Sequence, residues 1–240
     1  MPTLARSHDR LRAAAALAGA ALFAASLVYA GFVYVVRFAD ASGSTADRPR
    51  AIVIDVALFT IFAIHHSIFA RTGVKAWIAR ATPRLERTIY VVVASVLFIG
   101  VMTLWQPVPG VVWRVGSPVS LLLIGVQIAG VVLTLVAAGE LDVFALAGVR
   151  QAIGRATDRP AALVRTGTYA FVRHPVYFAW LLMVWPSPLF TGSRALFAAV
   201  STAYLVLAIP IEERTLRRAF GPAYDDYART VRWRLLPFVY

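Results

Sequence analysis

Two short constellations in the 240-residue chain carry side chains able to do chemistry. The first is Gly167-Thr168-Tyr169-Ala170-Phe171-Val172-Arg173-His174-Pro175-Val176-Tyr177. Pro175 suits the first turn of a helix, where its missing N–H costs nothing, and it pushes His174 out of helical geometry. Arg173 and His174 then stand at a helix mouth beside free backbone N–H groups, a favourable setting for a carboxylate or another anion. The second is Glu212-Glu213, just beyond Pro210. Two carboxylates at the end of an apolar run are costly near lipid, so they should face a protein cavity or a partner. Donors from one constellation and acceptors from the other suit a zwitterionic molecule with a cationic centre such as a sulfonium. Plainer explanations stand beside these. Arg and Tyr commonly anchor a membrane interface, and Arg214, Arg217 and Arg218 could pair with the two carboxylates.

Three further groups carry weaker signals. Leu216, Phe220, Tyr224, Tyr227 and Val231 recur at helical spacing and make an amphipathic stretch, readable as a helix on the membrane surface or as a lid. Asp55 and His66 lie about three turns apart and share a helix face, whereas His65 points about 100° away from His66 and reads as structural or interfacial. Ser120, Gln127 and Thr134, spaced by seven, also share a face and read first as interhelical hydrogen bonders. The chain has no Cys, which excludes disulfides, thiolate metal sites and Cys nucleophiles. No GxGxxG, GxxxxGK or HExxH pattern is present, and adjacent His65-His66 cannot both face one zinc ion on a helix. No metal site is expected.

The elements that must position these residues are apolar. Hydrophobic residues make up 60% of the chain and charged residues 15%, and mean hydropathy is +0.71. A soluble domain carries about 45–50% apolar and about 25% charged residues, so an ordinary soluble enzyme and a disordered chain are both excluded. A spanning helix needs about 20 apolar residues. Six runs qualify, near 13–36, 51–70, 89–105, 115–139, 176–192 and 195–211, the fifth interrupted at Pro186 and Pro188. None alternates with period two, so an outer-membrane barrel is excluded. The net charge of +12 could suggest nucleic acid. The basic residues cluster between apolar runs, however, so no nucleic-acid partner is expected. With the N-terminus inside and six crossings, only Arg37, Arg48, Arg50, Arg114 and Arg194 of the 24 basic residues fall outside, as the positive-inside rule demands. The expectation is one all-α, polytopic transmembrane bundle over 1–240, with both termini cytoplasmic and an amphipathic helical tail. Any site for a polar cytosolic cofactor would be built from 140–177 and 212–240. The first run is longer than a signal-peptide core and reads as a signal anchor.

Arg173-His174-Pro175-x-Tyr177, followed by Glu212-Glu213-x-x-Leu216 and Phe220-Gly221-x-x-Tyr224-x-x-Tyr227, resembles the membrane methyltransferase superfamily of isoprenylcysteine carboxyl and phospholipid methyltransferases. Its nurim-like branch, which includes methanethiol S-methyltransferases, is suggested by His66-Ser67-x-x-Ala70-Arg71, Glu86-Arg87-x-x-Tyr90-Val91, Trp105-x-Pro107, Leu141-Asp142-x-Phe144 and Arg194. The chain departs from that branch in Ala145, where Gly is usual, in extra residues before Arg150-Gln151, and in Tyr169-Ala170-Phe171. These departures bear on substrate choice more than on the cofactor.

The resemblance implies S-adenosyl-L-methionine as methyl donor. It implies Arg173, His174, Pro175, Tyr177, Glu212 and Glu213 as the residues that hold it, with Gly167, Tyr169, Tyr224 and Tyr227 as further pocket wall. A small thiol such as methanethiol leads as acceptor, with a prenylcysteine or lipid acceptor as the alternative, reached from the bilayer. His66 is the first candidate to take the thiol's proton, because imidazole titrates near neutral pH, and Asp142 is the second. Two other readings remain open: a non-catalytic nurim-like structural protein, and a reductase using a nicotinamide on a related architecture. The heavy use of Ala, Val and Arg points to a bacterial inner membrane.

Overall fold

The computed structural model describes residues 2–69, 78, 80, 82, 84–141, 149–152 and 162–240. Within these the chain is mostly helical, with two short strands. Five helical stretches are long and apolar enough to cross a bilayer: Arg10–Ala39, Thr45–Phe69, Glu86–Leu104, Val119–Glu140 and Gly192–Phe220. Many of their Leu, Ile and Val side chains point outward, among them Val28, Val53, Leu121, Leu135 and Leu207. Exposed apolar surface on this scale marks a membrane-embedded protein. The residues fall into two compact units.

The first unit comprises Met1–Arg37, Pro49–Gln106 and Asp142–Pro160. Helix α1 (Pro2–Val35) packs along α3 (Glu86–Leu104). Gly19 permits the approach, since a methyl there would stand 3.1 Å from Val92. Short α5 (Val149–Ala152) seats Val149 and Ala152 against Ala16 of α1. The last carbonyls of α3 accept from the Arg37 guanidinium, at 3.2 Å to both Met102 and Thr103. Such capping satisfies acceptors that a helix C-terminus leaves open. Helix α2 (Arg48–Phe69) carries Asp55, fully buried, whose Oδ1 accepts from the Gln106 N–H at 2.7 Å. The acid thereby fixes the chain as it leaves α3.

The second unit comprises Phe38–Arg48, Pro107–Leu141 and Ala161–Tyr240. Its centre is the contact of α4 (Val119–Glu140) with α6 (Pro175–Val184). Gly130 sits against the Ala179 carbonyl, where an added methyl would lie 2.8 Å from that oxygen. Close backbone approach through a small residue is how apolar helices associate without a hydrophobic driving force. Gln127 donates across the same interface to the Met183 carbonyl at 2.7 Å, as the seven-residue spacing suggested. Thr134 instead bonds back to Gly130 within its own helix.

The fifth apolar run, expected to span over 176–192, is helical only over the ten residues Pro175–Val184. A helix of that length rises about 15 Å, half of the roughly 30 Å hydrocarbon core. Pro186 and Pro188 cannot continue it. The chain runs on as β2 (Leu189–Thr191), paired antiparallel with β1 (Val111–Arg114). Trp113 stacks on Phe190 at 4.0 Å across that pair. The buried Arg194 side chain donates to Ser187 Oγ at 2.9 Å and to the Leu189 carbonyl at 2.5 Å, satisfying the irregular turn. Helix α7 (Gly192–Phe220) starts on the Thr191 hydroxyl cap and continues through Pro210, past the expected boundary near 211. Gly221, at φ 56°, breaks it from α8 (Pro222–Thr230). The recurrence from Leu216 to Val231 therefore belongs to two helices meeting at a corner. Tyr224, Tyr227 and Val231 form a core there with Leu163, Leu216 and Phe220 packed against it.

Candidate cofactor-binding site

Pro175 is the first residue of α6 and His174 its N-cap, as the sequence implied. The N–H groups of Arg173 and His174 donate to the carbonyls of Trp233 and Arg234, at 2.9 Å each. This short ladder ties the segment before α6 to the chain beyond α8, so both side chains are presented in fixed directions. Glu212 and Glu213 come from α7.

Glu213 is the electrostatic centre. It is 1% exposed, and its Oε1 lies 2.9 Å from Arg173 Nε and 3.7 Å from His174 Nε2. Its Oε2 lies 3.5 Å from Arg234 Nε and 3.7 Å from Arg217 Nη2. Three guanidiniums around one carboxylate supply the attraction that a buried charge requires. The pairing is close but poorly aligned. Among the described residues both Glu213 oxygens, Arg173 Nε, His174 Nε2 and the Tyr224 hydroxyl are buried with no hydrogen bond. Buried polar atoms are rarely left this way.

Glu212 is the accessible member of the pair, with 45% of its side chain exposed. It accepts from the Tyr177 hydroxyl at 2.7 Å and lies 3.6 Å from His174 Nδ1. The His174 and Tyr177 rings stack at 5.3 Å, only 13° from parallel. His174 thus stands between two carboxylates, one buried and one open.

The tyrosines close the cluster. Tyr227 donates its hydroxyl to the Tyr169 carbonyl at 2.8 Å, and its ring meets Tyr224 edge-on at 5.8 Å. Burial pushes the Tyr227 phenol up to about 12. Burial also raises Tyr224, with the Glu213 charge next, and raises Tyr169, with Glu212 next. All three therefore stay protonated over any ordinary working pH. Gly167 has φ 61° and begins a 3-10 turn, Gly167–Ala170. Glu140, the last residue of α4, clamps that turn. Its carboxylate accepts from the Thr168 N–H at 3.0 Å and the Thr168 hydroxyl at 2.6 Å, and a methyl on Gly167 would collide with it.

The structure thus gathers Arg173, His174, Pro175, Tyr177, Glu212, Glu213, Gly167, Tyr169, Tyr224 and Tyr227 in one unit. Sequence reasoning missed Glu140 and Arg234, and had Arg217 only as a salt-bridge partner of the two carboxylates, which is how it stands beside Glu213. The spacing of Arg217, four residues after Glu213, was the available signal. His66 belongs to the other unit, on α2, where Tyr90 Oη lies 3.0 Å from its Nδ1. Asp142 lies outside the described residues.

The model of the family described as phospholipid methyltransferase matches residues 115–223, which contain Arg173–Tyr177 and the Glu pair. Methanethiol S-methyltransferase 2 of Bradyrhizobium diazoefficiens is 37% identical over 223 residues, covering 90% of this chain and 86% of the relative. Methanethiol S-methyltransferase of Mycobacterium tuberculosis is 32% identical over 221 residues, covering 90% of each. Nurim of Sus scrofa is 30% identical over 178 residues, covering 68% of this chain and 67% of nurim. No solved structure matches. Apolar spanning helices and methyltransferase relatives 32–37% identical over 90% of the chain define an integral membrane methyltransferase. The chain belongs to the branch of the phospholipid and isoprenylcysteine methyltransferase superfamily that holds the methanethiol S-methyltransferases and nurim.

Proposed function

We propose that this chain transfers the methyl group of S-adenosylmethionine to a small thiol, giving a thioether. The observation that carries the donor is the cluster of guanidiniums, imidazole and carboxylates around Glu213, in which several buried polar atoms lack hydrogen bonds. The donor set fits a ligand with a carboxylate, an ammonium, a sulfonium and ribose hydroxyls. Arg173 and His174 would meet the carboxylate. Glu212, the exposed acid, would accept from the ammonium or the hydroxyls. Glu213 would act from behind as the counter-charge that holds Arg173, His174 and Arg234 in place. Tyr177 orients Glu212, and Tyr169, Tyr224 and Tyr227 keep water from the wall. When bound, the cofactor supplies an electrophilic methyl on a positively charged sulfur.

The protein's own contribution is positioning and desolvation, and holding reacting groups in line is worth up to about 7–11 kcal/mol. The names of the relatives that match 90% of the chain favour methanethiol or a similar thiol as acceptor. The distribution of basic residues favours a membrane orientation with both chain ends in the cytosol, and the bacterial relatives favour an inner membrane.

The test is methyl transfer by the purified chain in lipid nanodiscs, with labelled S-adenosylmethionine and methanethiol, a prenylcysteine or a phospholipid as acceptor. Labelled dimethyl sulfide is expected. Product only from the prenylcysteine or the phospholipid would overturn the acceptor. No product together with no cofactor binding would leave a structural protein like nurim.

A further inference from the structure

We propose, resting on the cofactor reading of the Glu213 cluster, that Tyr240 is a positioning residue of that site, which fixes the Arg234 guanidinium against Glu213. Arg173, Arg217 and Arg234 stand around Glu213, and each has a second partner that sets its direction. Arg173 Nη1 donates to the Ala228 carbonyl at 3.3 Å. Arg217 Nε donates to Asp225 Oδ1 at 3.1 Å. Both partners belong to α8. Arg234 lies beyond α8, and its Nη1 donates to the Tyr240 hydroxyl at 3.0 Å. Its Cζ also stands 5.1 Å from the centre of the Tyr240 ring, within cation–π range. Toward Glu213 it makes a 3.5 Å approach of Nε to Oε2, longer than a well-formed hydrogen bond. Tyr240 therefore decides where this guanidinium stands, and Glu213 receives its charge.

The backbone is folded to bring Tyr240 there. The N–H groups of Arg234, Leu235 and Leu236 donate to the main-chain oxygen of Tyr240, at 2.9, 2.8 and 3.1 Å, and the Tyr240 N–H donates to the Leu236 carbonyl at 3.0 Å. Residues 234–240 thus close on themselves. Phe238 turns this loop at φ 67°, a left-handed conformation that costs a non-glycine residue free energy. Its side chain is 85% exposed, so the turn does not serve to bury Phe238. What the turn achieves is the return of Tyr240. Leu235, 1% exposed, anchors the loop in a core with Leu181, Leu205 and Ile209, and Tyr177 and Tyr240 both pack against that core. The loop follows directly on the carbonyls of Trp233 and Arg234 that hold the Arg173 and His174 N–H groups. One segment of the second unit therefore holds Arg173 and His174 through its backbone and Arg234 through the Tyr240 side chain. Without the Tyr240 hydroxyl, the Arg234 guanidinium is free to turn toward solvent and leave Glu213 less well matched.

The experiment uses the full chain in nanodiscs and reads equilibrium binding of labelled S-adenosylmethionine. Tyr240→Phe keeps the ring and its packing and removes only the hydroxyl. Its cofactor affinity should fall about three- to tenfold, up to the worth of one hydrogen bond. Arg234→Met removes the guanidinium. In that background Tyr240→Phe should cost nothing further, because two residues that act through one contact are not additive. A Tyr240 that served only to hold the loop together would cost the same in both backgrounds. An equal loss in both backgrounds, or no loss in the parent background, overturns the proposal. If Arg234→Met does not fold, Arg234→Ala carries the same cycle. A parent chain that binds no cofactor overturns the reading of the Glu213 cluster, and the proposal with it. That result is distinct from a parent chain that binds and a Tyr240 variant that matches it.

Discussion

Glu212 and Glu213 are neighbours in sequence, and burial gives them different work. Glu213 is enclosed by Arg173, Arg217 and Arg234. Glu213→Gln leaves those cations without their counter-charge, and breaking a buried pair costs about 3–5 kcal/mol. Cofactor affinity should fall by more than 100-fold and thermal stability should drop with it, read by equilibrium binding and a melting curve. Glu212→Gln removes an exposed acceptor, so cofactor affinity should fall about tenfold, as for one charge-assisted hydrogen bond of about 1.5 kcal/mol, with the melting temperature unchanged. The tyrosines give a pH prediction. Tyr227 is raised from about 10 when unfolded to about 12 when folded. Its contribution to stability is complete below pH 10 and is lost as pH rises through 12. Melting temperature should be indifferent to Tyr227 up to pH 9 and decline above 10, and Tyr227→Phe should soften that decline. At this scale the sequence revealed much, because Arg173-His174-Pro175 and the Glu pair are contiguous. It could not reveal Arg234 beside Glu213, since that depends on how the chain turns back beyond α8.

Two close approaches hold the elements of the second unit. Gly130 lets α4 meet the backbone of α6, and Gly167 lets the turn before Arg173 meet the Glu140 carboxylate. Gly167→Ala forces a left-handed residue and a collision together. It should depress cofactor affinity several-fold, while Gly139→Ala, with open space around it, should not. The binding isotherms of the two variants make the comparison. The helices themselves were legible because hydropathy is a local property that accumulates along a run. The shortness of α6 was not, although Pro186 and Pro188 marked its end. Apolar composition alone does not distinguish a helix from the strand Leu189–Thr191 that follows. Glu140 escaped notice for a related reason. Its partner Thr168 is 28 residues away, and nothing local signals such a pairing.

At the scale of the whole molecule, an orientation with both chain ends cytosolic needs an even number of crossings, and five helices among the described residues have spanning length. We infer six, α6 with the chain up to β2 making the sixth, so that the β1–β2 pair and its Arg114 lie at the outer side. The absence of Cys makes the test clean. In oriented vesicles, Ser42→Cys should react with an impermeant maleimide from the outer side and Asp226→Cys from the cytosolic side. Labelling of both from one side would mean five crossings.

The central claim is that the cluster around Glu213 is a receptor for S-adenosylmethionine. Equilibrium binding of the labelled cofactor to the nanodisc protein, with no acceptor present, tests it most directly. Saturable binding with one site per chain, abolished in Glu213→Gln and weakened in Glu212→Gln, is the expected result. Absence of binding to the parent chain, or equal affinity in parent and both variants, would contradict it.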